Sequence, residues 1–112
     1  MDVYDFVEPG ETAVVLFLDD EVFYLDDDGG GSTATWPVDP SRDVDKVIIY
    51  RWAGDDERAD IFVGNYEGAR RAPDGRYRVY FSGMERVSWT GKPWEEFSQG
   101  SQYTLRYVHP AP

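Results

Sequence analysis

Short runs of β-branched and aromatic residues alternate with polar turns along most of this chain. The clearest run, residues 46–52, contains four consecutive strand-forming residues, Val-Ile-Ile-Tyr, followed after one arginine by Trp. Similar apolar runs occupy residues 3–7, 13–18, 21–25, 59–66 and 103–108. Runs of this length bounded by Gly, Pro, Asp and Ser are typical of β-strands. The pattern therefore predicts six to eight short strands.

Residues 76–81 alternate with a period of two, which predicts a strand with one face toward the core. The preceding residues 73–75 are Pro-Asp-Gly, with Pro suited to the first central turn position and Gly to the left-handed position after it. Residues 82–84, Ser-Gly-Met, predict another turn, followed by a strand over 85–89. The core-facing set predicted for the first strand is Tyr77, Val79 and Phe81.

The connection between the runs at 13–18 and 21–25 has two interpretations. Two apolar runs that flank two polar residues favour a hairpin. Asp-Asp is a weaker hairpin signal than Asn-Gly, so a single long strand bent at Asp19 and Asp20 is the alternative.

Residues 26–45 are polar and include three consecutive glycines. We interpret them as a long flexible loop, which is a candidate binding loop because long loops often carry function. Near the other end of the chain, Pro93 suits a first helical position, and Glu95 and Glu96 suit a first helical turn. Residues 93–98 therefore predict at most one short helix.

Together these elements predict one domain over residues 1–112 with a mainly β fold. A chain of 112 residues is long enough for one hydrophobic core and too short for two. Regularly spaced strands without intervening helices favour a single small antiparallel barrel or sandwich over a parallel α/β sheet. No sequence motif is specific enough to assign a family.

The chain is strongly acidic, with 22 Asp and Glu against 11 Lys and Arg and a formal net charge of −11. This charge disfavours direct binding to a nucleic-acid backbone. The acidity fits a basic protein partner, plain solubility, or a halophilic or GC-rich source, which the preference for Arg over Lys also suits. The acidic N-terminal residues and the absence of a long apolar stretch predict a cytoplasmic protein without a membrane span.

Catalytic chemistry has few candidates in this sequence. There is no cysteine, and the single histidine, His109, stands beside Pro110 near the end of the chain. The acidic clusters lack the spacing of a calcium loop, so we predict solvated turns, no metal site and no cofactor. An enzyme would need a cleft that joins Asp60 or Glu85 with Arg78, and we favour the simpler expectation that these acids are exposed or paired with Arg78 or Arg86.

The tryptophans are the most distinctive candidates for function. They stand at the ends of predicted strands or in loops, where aromatic rings line pockets that stack a planar or cationic ligand. We therefore predict a non-catalytic binding module whose pocket is formed by the Trp36 loop and the segment from Trp89 to Phe97. Its ligand would be a small planar molecule, a modified base or a protein partner. The predicted ligand-binding residues are Trp36, Trp89, Trp94 and Arg78.

An acidic inhibitor or nucleic-acid mimic that binds a basic protein is the alternative function. Small size and negative charge favour it, whereas nine arginines interrupt an acidic face. The oligomeric state is open, because an exposed strand edge can pair two subunits but the sequence does not identify that edge.

Overall fold

A computed structural model describes residues 1–19, 23–52, 58–99 and 104–112. The described part is mainly β, which confirms the predicted fold class, and its short α-helix falls within the predicted 93–98. None of its helices is long and apolar enough to cross a membrane. In chain order the elements are a 3-10 helix (Val3–Phe6), β1 (Ala13–Asp19), β2 (Tyr24–Leu25), β3 (Gly31–Trp36), β4 (Lys46–Trp52), β5 (Ala59–Arg71), β6 (Tyr77–Thr90), α1 (Trp94–Phe97) and β7 (Leu105–Val108).

The strands form one sheet in the order β2-β3-β6-β5-β4-β1-β7. Neighbouring strands are antiparallel except β1 and β4, which run parallel with Ala13 opposite Lys46 and Asp19 opposite Trp52. The sequence predicts an antiparallel barrel or sandwich, and the parallel pair is the difference from that prediction. The parallel pair arises because the chain leaves β1 and forms β2 and β3 at the far edge. It then enters β4 beside β1 from the same end.

The hairpin of β5 and β6 is longer than the sequence predicts. Its turn is as expected: Gly75 has φ of 82°, and its amide donates to the carbonyl of Ala72 at 3.0 Å. The predicted break at residues 82–84 is instead an irregularity within β6, where Gly83 takes φ of 58° and the register shifts. Bulges bend a strand without ending it, so the two predicted strands are one.

The two faces of the sheet bury different hydrophobic clusters, and the sheet is curved. The inner face carries Val14 and Leu16 of β1 together with Trp36 of β3 and Val79 of β6, although these strands lie far apart in the strand order. Only a curved sheet brings them together. The outer face carries Val15 and the alternating residues of the neighbouring strands, and it is covered by the 3-10 helix and α1.

The first predicted strand, over residues 3–7, is wrong. The Asp2 carboxylate accepts a hydrogen bond from the Tyr4 amide at 2.9 Å, and the Asp5 carboxylate accepts one from the Asp2 amide at 2.9 Å. This reciprocal pair is a capping box, which satisfies the free amides at the start of a helix. Side-chain hydrogen bonds therefore compete successfully with strand pairing here.

The segment 26–45, predicted to be a continuous loop, contains β3. Its Gly31 leaves no room for a side chain, because a Cβ there would overlap the carbonyl of Tyr24 on β2. The glycine therefore serves close strand approach. The predicted hairpin between residues 13–18 and 21–25 is also wrong, since β1 pairs with β4 and β7 while β2 pairs with β3.

Parts of three predicted features fall outside the described residues. They are the connection at 20–22, the turn at 53–57 and the beginning of the last strand at 100–103.

Trp36 should behave as a core residue. It is 5% exposed within the inner cluster, whereas Trp89 is 52% exposed. We expect Trp36→Ala to lower the free energy of unfolding by about 3–5 kcal/mol, and Trp89→Ala to lower it by no more than about 1 kcal/mol. Urea denaturation of both variants measures the difference, and equal losses would contradict the assignment of Trp36 to the core.

Candidate functional site

The structure does not place the predicted tryptophans in one pocket. Trp36 lies in the inner cluster and Trp94 in the outer cluster, so the sheet separates them. The predicted pocket between the Trp36 loop and the segment from Trp89 to Phe97 is therefore not formed by the described residues. Trp36 Nε1 is buried and lacks a hydrogen-bond partner.

Trp89 and Arg78 lie at opposite ends of the β5–β6 hairpin. Trp89 pairs with Asp60 across the strands and has the guanidinium of Arg58 at 5.4 Å from its ring centroid. Arg78 is opposite Arg70 near the turn and donates to the carbonyl of Thr33 at 3.3 Å. Neither residue contributes to the pocket that holds Trp94.

Trp94 lines an apolar cleft on the outer face, which we call the aromatic cleft. The parallel pairing of β1 and β4 forms its floor, because it sets Phe17 beside Tyr50 and Asp19 beside Trp52 at the carboxyl ends of both strands. Helix α1 brings Trp94 over this floor. The residues lining the cleft are Phe17, Asp19, Tyr50, Trp52, Pro93 and Trp94.

Three of the rings support one another. The centroid of Phe17 is 5.4 Å from that of Tyr50 and 5.5 Å from that of Trp94. Tyr50 and Trp94 meet edge to face at 5.4 Å. Tilted and edge-to-face pairs at these distances are the favourable arrangements for aromatic quadrupoles. The ring positions are thus set by packing within the protein.

The hydroxyl of Tyr50 is used by the fold. It donates to the carbonyl of Lys92 at 2.7 Å, which holds the segment before Pro93 against the sheet. Burial raises the pKa of Tyr50 to about 12, because the phenolate would lose its hydration. The phenol therefore stays protonated at neutral pH and acts as a structural donor.

Helix α1 is short and depends on side chains from elsewhere. Its four residues cannot form a stable helix alone. The guanidinium of Arg106 on β7 donates to the carbonyls of Ser98 and Gln99, which follow the helix. Gln99 Nε2 donates to the carboxylate of Asp2 at 2.7 Å. These bonds dock the helix, and with it Trp94, on the outer face.

The aromatic cleft is large enough for one ring or one small cationic group, but not for a whole drug-sized ligand. Its volume is about 240 Å³, below the roughly 300–1,000 Å³ typical of pockets that enclose a whole drug-sized ligand. Its lining contains four aromatic residues and Pro93, and Asp19 is its acidic residue. Such a surface suits a single flat ring or an alkylammonium group that contacts the faces of aromatic rings.

Sequence reasoning identified Trp94 but missed Phe17, Tyr50 and Trp52. Each stands in a predicted strand near its carboxyl end, which was a usable signal. What the sequence did not provide was the parallel pairing that makes the two strand ends neighbours.

A second concavity lies at the β2 edge of the sheet, and we call it the edge groove. It has a volume of about 440 Å³ and is lined by Tyr24, Ser32, Glu67, Arg70 and Tyr80 among others. Arg70 stacks on Tyr80 at 4.8 Å. Both signs of charge line this groove, so it differs in chemistry from the aromatic cleft.

The carboxylates considered for catalysis are not joined with Arg78. Asp60 instead accepts from Nε of Arg86 at 3.0 Å, which confirms the expected pair with that arginine. Glu85 is exposed on the same half of the hairpin, away from Arg78. Among the described residues, no group of three or more His, Asp or Glu side chains converges to hold a metal ion.

Tyr50→Phe tests the structural role of the phenol. Loss of the bond to Lys92 should cost about 0.5–1.5 kcal/mol at neutral pH. The unfolded phenol ionises near pH 10, whereas the folded pKa is about 12. The stabilisation therefore exists below pH 10 and declines as the pH rises from about 10 to about 12. The free energy of unfolding, measured across this pH range, should fall more steeply in the parent than in Tyr50→Phe. Identical slopes would contradict the raised pKa.

Comparison of this chain with protein-family models, with curated protein sequences and with solved structures finds no match.

Proposed function

We propose that this protein is a non-catalytic binding module that holds one flat or cationic group of a ligand or partner protein in the aromatic cleft. The observation that supports this proposal most directly is an open apolar cleft in which Phe17, Tyr50 and Trp94 are held by ring contacts within the protein. Preformed sites bind with a smaller entropic cost than sites that must be ordered. The ligand group would stack on Trp52 and Trp94 beside Asp19.

Charge favours a cation over an anion in this cleft. The chain carries a formal net charge of −11, and Asp19 is an acidic lining residue. Aromatic faces carry partial negative charge and attract ammonium and guanidinium groups. An alkylammonium group or a cationic ring therefore fits both the local and the overall electrostatics.

A non-catalytic role is supported by the position of the histidine. His109 Nδ1 lies 2.8 Å from Thr12 Oγ1 and 2.9 Å from the carbonyl of Glu11. Its neighbour Val108 pairs with Ala13 at the start of β1, whereas Phe17 and Asp19 of the cleft stand near the end of that strand. The imidazole is thus engaged at the opposite end of the strand from the cleft.

The alternative function, an acidic inhibitor or nucleic-acid mimic, stays a prediction. It needs a continuous acidic face, and four arginines occupy one hairpin tip over residues 70–78. No specific contact among the described residues favours it over the aromatic cleft.

A titration with small cations and rings tests the proposal. We expect tetramethylammonium and indole each to shift the amide and indole NMR resonances of the ¹⁵N-labelled protein around Phe17, Trp52 and Trp94, in a saturable manner. Trp52→Ala should weaken binding of both compounds about tenfold, the equivalent of about 1.4 kcal/mol. Asp19→Asn should weaken binding of tetramethylammonium more than binding of indole.

Trp89→Ala is the matched control, because it removes an exposed tryptophan outside the cleft. It should leave both affinities unchanged. If neither compound gives saturable shifts at the cleft, or if Trp89→Ala weakens binding as much as Trp52→Ala, the proposal is wrong.

A further inference from the structure

The edge of the sheet at β2 and β3 is incompletely paired. Strand β2 has two residues and, among the described residues, pairs only with Ser32 and Gly31. The rest of β3, residues 33–36, pairs with β6 along one edge and has no described strand along its other edge. A strand edge of this kind presents backbone donors and acceptors to another chain.

Exposed apolar side chains accompany this edge. Tyr24 is 62% exposed and Leu25 is 43% exposed, both on β2. The edge groove, with Tyr24 and Tyr80 among its walls, opens beside them. Strand edges that must stay unpaired are commonly protected by charged residues, and β2 itself carries none.

A basic patch lies at one end of β3. The tip of the β5–β6 hairpin, residues 70–78, contains four arginines and one aspartate, and it is placed there because Trp36 pairs with Tyr77. The carboxylate of Asp74 is held within the tip, accepting from Thr35 Oγ1 at 2.7 Å and from the Arg76 amide at 2.9 Å. None of the four guanidinium groups forms an ion pair with a described residue.

An acidic patch lies at the other end of β3. The turn from β2 to β3 contains Asp26, Asp27 and Asp28, and these carboxylates also form no ion pair within the described part of the chain. The two ends of β3 are roughly 17 Å apart at about 3.3 Å per residue, and between them Asp26 and Arg70 both line the edge groove. The charges outside the groove include Arg71 and Arg76 at the hairpin tip and Asp27 and Asp28 in the β2–β3 turn.

We propose that the β3 edge pairs antiparallel with the same edge of a second copy of this chain, giving a two-fold symmetric dimer. An antiparallel pairing reverses the strand direction across the interface, so the arginine tip of each copy meets the aspartate turn of the other. The same contact forms twice because the interface is self-complementary. The edge pairing supplies backbone hydrogen bonds, and the opposite charges select the antiparallel orientation.

Charge reversal provides a sharp test. Arg71→Glu with Arg76→Glu makes an acidic tip, and Asp26→Lys with Asp27→Lys makes a basic turn. These side chains are chosen because none makes a hydrogen bond or ring contact within the described structure, unlike Arg70, Arg78 and Asp28. Circular dichroism and thermal unfolding check that each variant folds.

Light scattering and sedimentation measure the molecular mass of the parent, of each reversed variant and of their mixture. The parent chain should shift from monomer to dimer as its concentration rises, and high salt should weaken the dimer. Each reversed variant alone should be monomeric, because like charges then meet at both contacts. An equal mixture of the two reversed variants should form a heterodimer, since each contact again joins opposite charges.

Glu95→Lys with Glu96→Lys is the control, because it makes the same charge change on α1, away from the edge. It should dimerise like the parent. A parent chain that is monomeric at every concentration overturns the proposal. So does a mixture of reversed variants that stays monomeric, and so does a control that loses the dimer as completely as the turn variant.

Discussion

The parallel pairing of β1 and β4 is the constraint on which the rest of the structure depends. Both strands are buried on both faces, with Val14, Val15 and Leu16 of β1 fully enclosed. Strands in this situation have continuous apolar sequences, since no residue faces water. The outer side of the pair carries the 3-10 helix and α1, and the inner side receives the curved half of the β5–β6 hairpin. Because both strands run in one direction, their carboxyl ends meet, and the aromatic cleft forms where they do.

Local signals in the sequence were sufficient for part of this fold. The strand at 46–52 and the Pro73-Asp74-Gly75 turn were predictable because strand propensity and turn dihedral angles are properties of a few adjacent residues. The 3-10 helix at Val3–Phe6 was missed because its side-chain hydrogen bonds outweighed an apolar pattern. Strand β3 was missed because its pairing partner, β6, lies more than forty positions later. Polar composition alone gave no sign of that partner.

The candidate site was predictable to a smaller extent. Trp94 follows a proline at a recognisable helix start, so its position near a cleft had a local signal. Trp36 stands among polar and glycine-rich residues, which favoured a loop, yet the curved sheet encloses its ring. Phe17 and Tyr50 become neighbours only through the β1–β4 register. The net charge also gave no indication of where positive and negative side chains lie. The arginines of the hairpin tip and the aspartates of the β2–β3 turn are near opposite ends of β3.

The β1–β4–β7 arrangement also joins residues that are far apart along the chain. The β5–β6 hairpin joins adjacent segments across a loop of five residues, 72–76, so little chain has to be closed. Ala13, in contrast, must find Lys46 on one side and Val108 near the end of the chain on the other. Contacts so distant along the chain form late, because loop closure costs entropy before the contacts compensate for it. Phe17 belongs to β1, so the aromatic cleft forms only when β1 pairs with β4. A partly folded chain that contains only the β5–β6 hairpin therefore has no cleft.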